Sequence, residues 1–184
     1  MNSNSNFKEN IFPAMILVII CLVVTLALAG TYSVANPIII QNQQKSADEA
    51  RQEVLPDGDG FTQYDGKLAE GVEDCYIADN KAGIAVTAGY KGFGGTVKVM
   101  IGIDADGKVT GVKVTEHSET PGLGTKAADP EYLKQYKGVA EAPEASIKDD
   151  KNVDAVTGAT ITSNAVYNSV KEALAQFKEC GGVK

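Results

Sequence analysis

Hydroxyl side chains and small residues are concentrated in the segment Asp154–Ser163, which reads DAVTGATITS. The segment leads into a helix predicted from about Thr162 to Lys178, so its backbone should lie at a helix N-terminus. The free N–H groups and partial positive charge of such an end favour a phosphate. Gly158 and Ala159 would leave the approach uncrowded. These residue types therefore suit a phosphate-binding site.

The threonines of this segment also suit a simpler role. Thr157, Thr160 and Thr162 each carry a hydroxyl that could cap the helix. Because Ser and Thr caps are common, local physics alone favours a cap that does nothing else.

A second group of polar and turn-forming residues, His117–Gly124 with the sequence HSETPGLG, follows a predicted strand. Its Pro-Gly pair is typical of a turn, and Leu123 stands between glycines, where it could lie against an aromatic ring. Glu119 and Thr120 suit hydrogen bonds to the edge of such a ring, or to the turn itself. His117 is either part of that site or an exposed residue at a strand end.

Both segments resemble motifs of one family. The pattern Asp-x-x-Thr-Gly-Ala-Thr at Asp154–Thr160 resembles the flavinylation motif of the FMN-binding domain family. The segment His117–Gly124 resembles a flavin-approaching loop in the G subunit of Rnf complexes and in the C subunit of Na+-pumping NADH:quinone reductases. The resemblance spans nearly the whole chain, and the compact chain favours the G subunit.

The resemblance implies FMN bound covalently through a phosphodiester to the Thr160 hydroxyl. The other cofactor-binding residues that it implies are Thr157, Gly158, Ala159, Ile161, Glu119, Thr120, Gly122 and Leu123. The sequence contains no nicotinamide-binding fingerprint, catalytic relay or metal-ligand cluster, so we expect an electron carrier with no catalytic or metal site of its own.

The implied setting is a membrane complex that couples electron flow between ferredoxin and NAD+ to translocation of Na+ or H+. The implied partners are the other membrane and peripheral subunits, a flavin transferase for maturation, and membrane lipid. Three alternatives stay open at this point: the C subunit of a quinone reductase, a freestanding extracytoplasmic flavoprotein, and a non-redox binding domain tethered to the membrane.

The composition excludes several other classes of protein. The chain of 184 residues carries a net charge of -7, which opposes binding to nucleic acid. With one His and three Cys, it cannot form a His cluster, a disulfide scaffold, or an iron–sulfur or zinc site by itself. Cys75 and Cys180 could pair outside a reducing compartment.

One long apolar segment precedes the polar part of the chain. Between Ile11 and Ala29, 17 of 19 residues are apolar and none is charged. As a helix this length rises about 28 Å, close to the thickness of a bilayer core. A cleaved signal peptide ending near Ala27-Leu28-Ala29 is the alternative, but the run exceeds a usual signal h-region. The flanking charges barely indicate an orientation, whereas the resemblance implies an extracytoplasmic C-terminal domain in the cell membrane.

Hydrophobic patterns predict an α+β chain in four parts: a tail at 1–10, an anchor at 11–30, a helical stalk and turn at 31–60, and an FMN-binding domain at 61–184. Pro37 is expected to interrupt the stalk. Short strands predict an antiparallel sheet whose Gly-rich loop 89–95 could approach a ligand or serve only as a flexible connection.

Overall fold

The computed structural model describes residues 11–182, so the tail predicted at 1–10 and the last two residues lie outside the described part. The chain divides into two compact units, Met1–Ser46 and Ala47–Lys184. Helix α1 covers Phe12–Val54. One stretch of it has a mean hydropathy of 2.9 and no buried residue, so by length and composition the helix can cross a membrane.

The interruption predicted at Pro37 is wrong, because α1 continues through this residue. A proline removes one backbone N–H donor and crowds the preceding turn. The turns on both sides retain their own backbone hydrogen bonds, and these hold the helix together across the defect.

Five antiparallel strands follow in the order β1-β2-β3-β4-β5, each pairing with its neighbour in sequence. Strands β3 and β4 pair continuously from Gly83 opposite Asp104 to Lys91 opposite Thr96, so the turn at 92–95 ends their hairpin. The strand bounds are β1 Phe61–Gln63, β2 Val72–Ala78, β3 Gly83–Lys91, β4 Thr96–Asp104 and β5 Val109–Glu116.

The main core lies between one face of this sheet and the last helix, α3, at Thr160–Glu179. Every second residue of β4 from Val97 to Ile103 is apolar and belongs to this core: Val97, Val99, Ile101 and Ile103 are all buried. On α3 they meet the helical stripe that contains Val166 and Val170, both fully buried. Side chains repeat with a period of two residues in a strand and 3.6 in a helix, so β4 and α3 each present one apolar face, and these faces pack together. The α+β fold class is confirmed.

The last turns of α1, within the second unit, pack on the opposite face of the sheet. Ala50 and Val54 join Ala85 and Met100 in a small separate cluster. A Cβ added at Gly102 would lie 2.2 Å from the Val54 carbonyl oxygen, so this strand position admits only glycine.

A connecting segment between β5 and α3 contains short helices. It comprises a 3-10 helix at Gly124–Ala128, helix α2 at Pro130–Leu133 and a further 3-10 turn at Lys134–Tyr136. Asp129 caps α2, because its side chain accepts a hydrogen bond from the Glu131 N–H at 2.9 Å.

Cys75 and Cys180, far apart in sequence, come together at the C-terminal end of α3. Both are free thiols, and their side chains lie close enough for Cys180 to affect Cys75. The Gln176 side-chain amide also donates to the Cys180 sulfur at 3.2 Å. Burial, followed by the nearby Cys180, raises the pKa of the Cys75 thiol well above its ordinary value.

This raised pKa predicts a loss of stability at alkaline pH. The folded chain keeps the Cys75 proton, whereas the unfolded chain releases it above about pH 9, so unfolding becomes easier as pH rises past that value. The melting temperature should fall by roughly 3 °C per pH unit from this thiol alone. Circular dichroism of the detergent-solubilised chain between pH 7 and 10 measures it. A Cys75→Ala variant should lose less stability over the same range, and equal slopes for the two proteins would contradict the prediction.

Candidate functional site

The segment before α3 is held by side chains from both of its flanks. The Gln135 side chain accepts from the Asp154 N–H at 2.7 Å and donates to the Asp154 carbonyl oxygen at 3.3 Å. The Ser163 hydroxyl oxygen accepts from the Val156 N–H at 3.0 Å. These bonds fix the backbone at Asp154 and Val156, just before the Thr157-Gly158 pair, where side-chain partners replace regular secondary structure.

A tight turn at residues 156–159 directly precedes α3. The Ala159 N–H donates to the Val156 carbonyl oxygen at 2.9 Å, and Gly158 has a φ of +82°. A Cβ at Gly158 would also come within 3.1 Å of the Leu123 side chain. The positive φ therefore favours glycine, and the 117–124 loop approaches closely at this position.

None of the three threonines caps α3. The N-cap residue is Ala159, which has no hydroxyl, and no side chain makes a capping bond. Thr160 is instead the first helical residue, while the buried Thr162 hydroxyl is used elsewhere. The expected threonine cap is thus wrong, because the helix begins two residues earlier than predicted and its hydroxyls fall inside the first turn.

The 117–124 loop folds on itself as its turn residues predict. The Leu123 N–H donates to the Thr120 carbonyl oxygen at 3.2 Å, and the Gly122 N–H donates to the Thr125 hydroxyl oxygen at 2.9 Å. Gly122 has a φ of +76°, but a Cβ there would meet open space, so only its backbone conformation calls for glycine. His117 is exposed at the end of β5.

Glu119 joins this loop to both neighbouring segments. It is buried, with one carboxylate oxygen accepting from the Thr162 hydroxyl at 2.7 Å and the other from the Gly94 N–H at 3.0 Å. A Cβ at Gly92 or Gly124 would come within 2.5 Å of a carboxylate oxygen of Glu119. The Gly-rich turn, the 117–124 loop and the first turn of α3 therefore converge on one buried carboxylate.

A groove of about 300 Å³ opens where these three segments meet. Of the residues predicted to bind the cofactor, all but Thr157 and Gly122 line it. Sequence reasoning missed three lining residues, of which Phe93 had a visible signal as a large aromatic residue among four glycines. The lining residues are Phe93, Glu119, Thr120, Leu123, Gly124, Gly158, Ala159, Thr160, Ile161 and Thr162.

The groove has the chemistry that a flavin nucleotide requires. Phe93, Leu123 and Ile161 supply apolar walls for an aromatic ring system. The N-terminal turn of α3, whose first N–H groups have no acceptor inside the helix, supplies a site for an anionic phosphate next to the Thr160 side chain. Within residues 11–182, no group of three His, Cys, Asp or Glu side chains is placed to hold a metal ion.

Comparison with known proteins assigns the same region to a flavin family. The FMN-binding domain family matches residues 92–175, a range that contains every residue lining the groove. The G subunit of the proton-translocating ferredoxin:NAD(+) oxidoreductase complex of Clostridium ljungdahlii is 34% identical over 174 residues, covering 91% of both chains. The chain belongs to the G-subunit family of ion-translocating oxidoreductase complexes.

Two further similarities extend this comparison. The G subunit of the Na(+)-translocating ferredoxin:NAD(+) oxidoreductase complex of Acetobacterium woodii is 33% identical to this chain, covering 89% of each. Among solved structures, NqrC of Shewanella oneidensis is similar with a TM-score of 0.46 and 23% identity, covering 64% of this chain and 65% of that one.

The position of Glu119 predicts a clear effect on stability. In the chain expressed without a flavin transferase, Glu119→Ala should lower the free energy of unfolding by about 2 kcal/mol, because Thr162 and Gly94 lose a buried charged partner. Urea unfolding followed by tyrosine fluorescence in mild detergent measures the change.

A matched acidic residue controls for the loss of charge. Glu116, three residues earlier, is exposed and lies 3.4 Å from Lys98, so Glu116→Ala should change stability by less than about 0.5 kcal/mol. Equal losses in the two variants would show that the buried carboxylate does not hold the three segments together.

Proposed function

We propose that this chain is a membrane-anchored electron carrier in an ion-translocating ferredoxin:NAD+ oxidoreductase complex, with FMN attached to Thr160 by a phosphodiester. The observation that carries the proposal is the place of Thr160, the first residue of α3, on the wall of an apolar groove. Its motif and the G-subunit family point to the same group. When bound, FMN supplies the exchange of one or two electrons.

Attachment at Thr160 is a phosphoryl transfer that needs an activated donor. A flavin dinucleotide has the required anhydride: the Thr160 hydroxyl oxygen bonds to the phosphorus next to riboflavin, and the bond to the nucleoside monophosphate breaks. The hydroxyl proton passes to a base of the flavin transferase, and no electrons are exchanged. The resulting diester keeps one negative charge, which the N-terminus of α3 stabilises.

The other groove residues bind and orient the group in this proposal. The apolar side chains of Leu123 and Ile161 contact the ring system, while Glu119 keeps its loop in place through Thr162. Thr120, Gly158 and Ala159 line the groove, whereas Thr157 and Gly122 act through the backbone of the two turns that carry them.

The anchor and its partners complete the proposal. Residues 11–30 span the bilayer in contact with lipid, residues 31–60 form the stalk and turn, and residues 61–184 form the flavin domain on the extracytoplasmic side of the cell membrane. An apolar span without a charged residue offers no ion path, so translocation belongs to partner subunits. Maturation requires a flavin transferase on the same side.

Replacing Thr160 tests the attachment. Coexpressed with its flavin transferase, Thr160→Ala should yield a folded chain without covalent flavin, whereas Thr160→Ser should retain part of it because the nucleophilic hydroxyl remains. Intact mass and the absorption spectrum of the denatured protein measure occupancy, and circular dichroism reports folding.

The exposed Thr157 offers a matched hydroxyl in the same motif. In Thr157→Ala, Thr160 should remain the residue that carries any covalent flavin, because Thr160 lines the groove and Thr157 does not. Flavin on a peptide that excludes Thr160, or none in the wild-type chain, would disprove the attachment.

The proposed orientation predicts which positions a membrane-impermeant maleimide reaches in intact cells. Gln63→Cys, exposed on β1, should react above the level of the parent chain, because this domain faces outward. Ser5→Cys, in the tail before the span, should react only after the membrane is permeabilised. The reverse pattern would contradict the orientation.

A further inference from the structure

Large apolar side chains are exposed at only one place on the described part of the domain, residues 47–182. They are Phe93, Leu123 and Ile161, with exposed fractions of 73%, 45% and 54%, and all three line the groove. Scattered apolar side chains on a surface need no explanation, but a cluster around a cavity indicates a ligand or partner. Phe93 has the largest exposed fraction of the three.

The turn that carries Phe93 is closed and anchored. The Gly92 N–H donates to the Gly95 carbonyl oxygen at 2.7 Å, which closes the β3–β4 hairpin around Phe93. The Gly94 N–H donates to Glu119 at 3.0 Å, and a Cβ at Gly94 would come within 2.1 Å of the Ser118 carbonyl oxygen. The backbone of the turn therefore packs against the 117–124 loop, while the Phe93 side chain remains exposed.

The neighbours of Phe93 offer its ring no cover. Gly92, Gly94 and Gly95 have no side chains, so the phenyl ring stands alone at the tip of the hairpin. An aromatic ring gains most from contact with another flat ring system, by stacking or edge-to-face packing. The groove beside it opens onto Thr160, the proposed point of flavin attachment.

We propose that Phe93 packs against the isoalloxazine ring tethered at Thr160 and covers it from solvent. This inference rests on the proposed function and adds a ring-covering residue from the Gly-rich turn, outside both sequence motifs. Leu123 and Ile161 belong to the two motif segments. Phe93 comes from a third segment, the Gly-rich turn, and lines the same apolar groove. The buried Glu119 holds this turn in place by accepting a hydrogen bond from the Gly94 N–H.

A tryptophan at this position reports contact directly, because an indole touching an isoalloxazine quenches its fluorescence. In the covalently flavinylated full chain, Phe93→Trp should lower flavin fluorescence at least about fivefold, since the two rings would stack. Denaturation should abolish the difference from wild type. Aromatic-for-aromatic exchange at an exposed turn tip leaves the backbone bonds of the turn unchanged.

Gln63→Trp is the matched control. Gln63 is exposed on β1 and pairs with Tyr76, which lies opposite Ala85, about 20 Å along β3 from the Gly-rich turn. This variant should fluoresce as the wild-type chain does. A complementary variant, Phe93→Ala, should increase quenching of the flavin by iodide about twofold, because the ring loses its cover.

The outcomes separate this inference from the proposed function. Quenching in Phe93→Trp but not in Gln63→Trp, with greater iodide access in Phe93→Ala, supports contact. Covalent flavin in all variants with no such changes would overturn the role of Phe93 and leave the attachment intact. Absence of covalent flavin from the wild-type chain, measured by intact mass, would overturn both.

Discussion

A single buried carboxylate organises the candidate site. An ionised group removed from water must find hydrogen-bond donors, and Glu119 finds them in the Thr162 hydroxyl and the Gly94 N–H. These partners lie 43 and 25 positions away in sequence, on different elements. Because leaving either donor unpaired would be costly, the hairpin turn, the 117–124 loop and the helix start must assemble together, and the groove is the space that remains between them.

The orientation of α3 gives that groove its electrostatic character. Val166 and Val170 pack on the sheet, so the helix cannot turn or slide without exposing apolar surface. Its N-terminal end is thereby fixed beside the two loops, with Thr160 and Ile161 on the wall of the groove. The same packing that stabilises the domain therefore places a positive dipole end where a phosphodiester would lie.

Local sequence signals predicted the elements well where both partners of an interaction are close in the chain. The apolar alternation in β4 and the Asp129 cap each depend on neighbouring residues, so they are visible in the sequence itself. The same logic failed at Pro37 and at the threonine cap. In both cases the helix is longer than predicted and includes residues that, taken alone, favour a helix end.

The sequence by itself determined the residue types of the site, the apolar span and the helical and strand periods, because each is a property of consecutive residues. Only the tertiary structure decided that Glu119 bonds Thr162 and Gly94, that Phe93 joins the groove, and that Thr160 begins the helix rather than capping it. These outcomes depend on which distant segments share a buried space. Burial and hydrogen-bond satisfaction are properties of the packed chain as a whole.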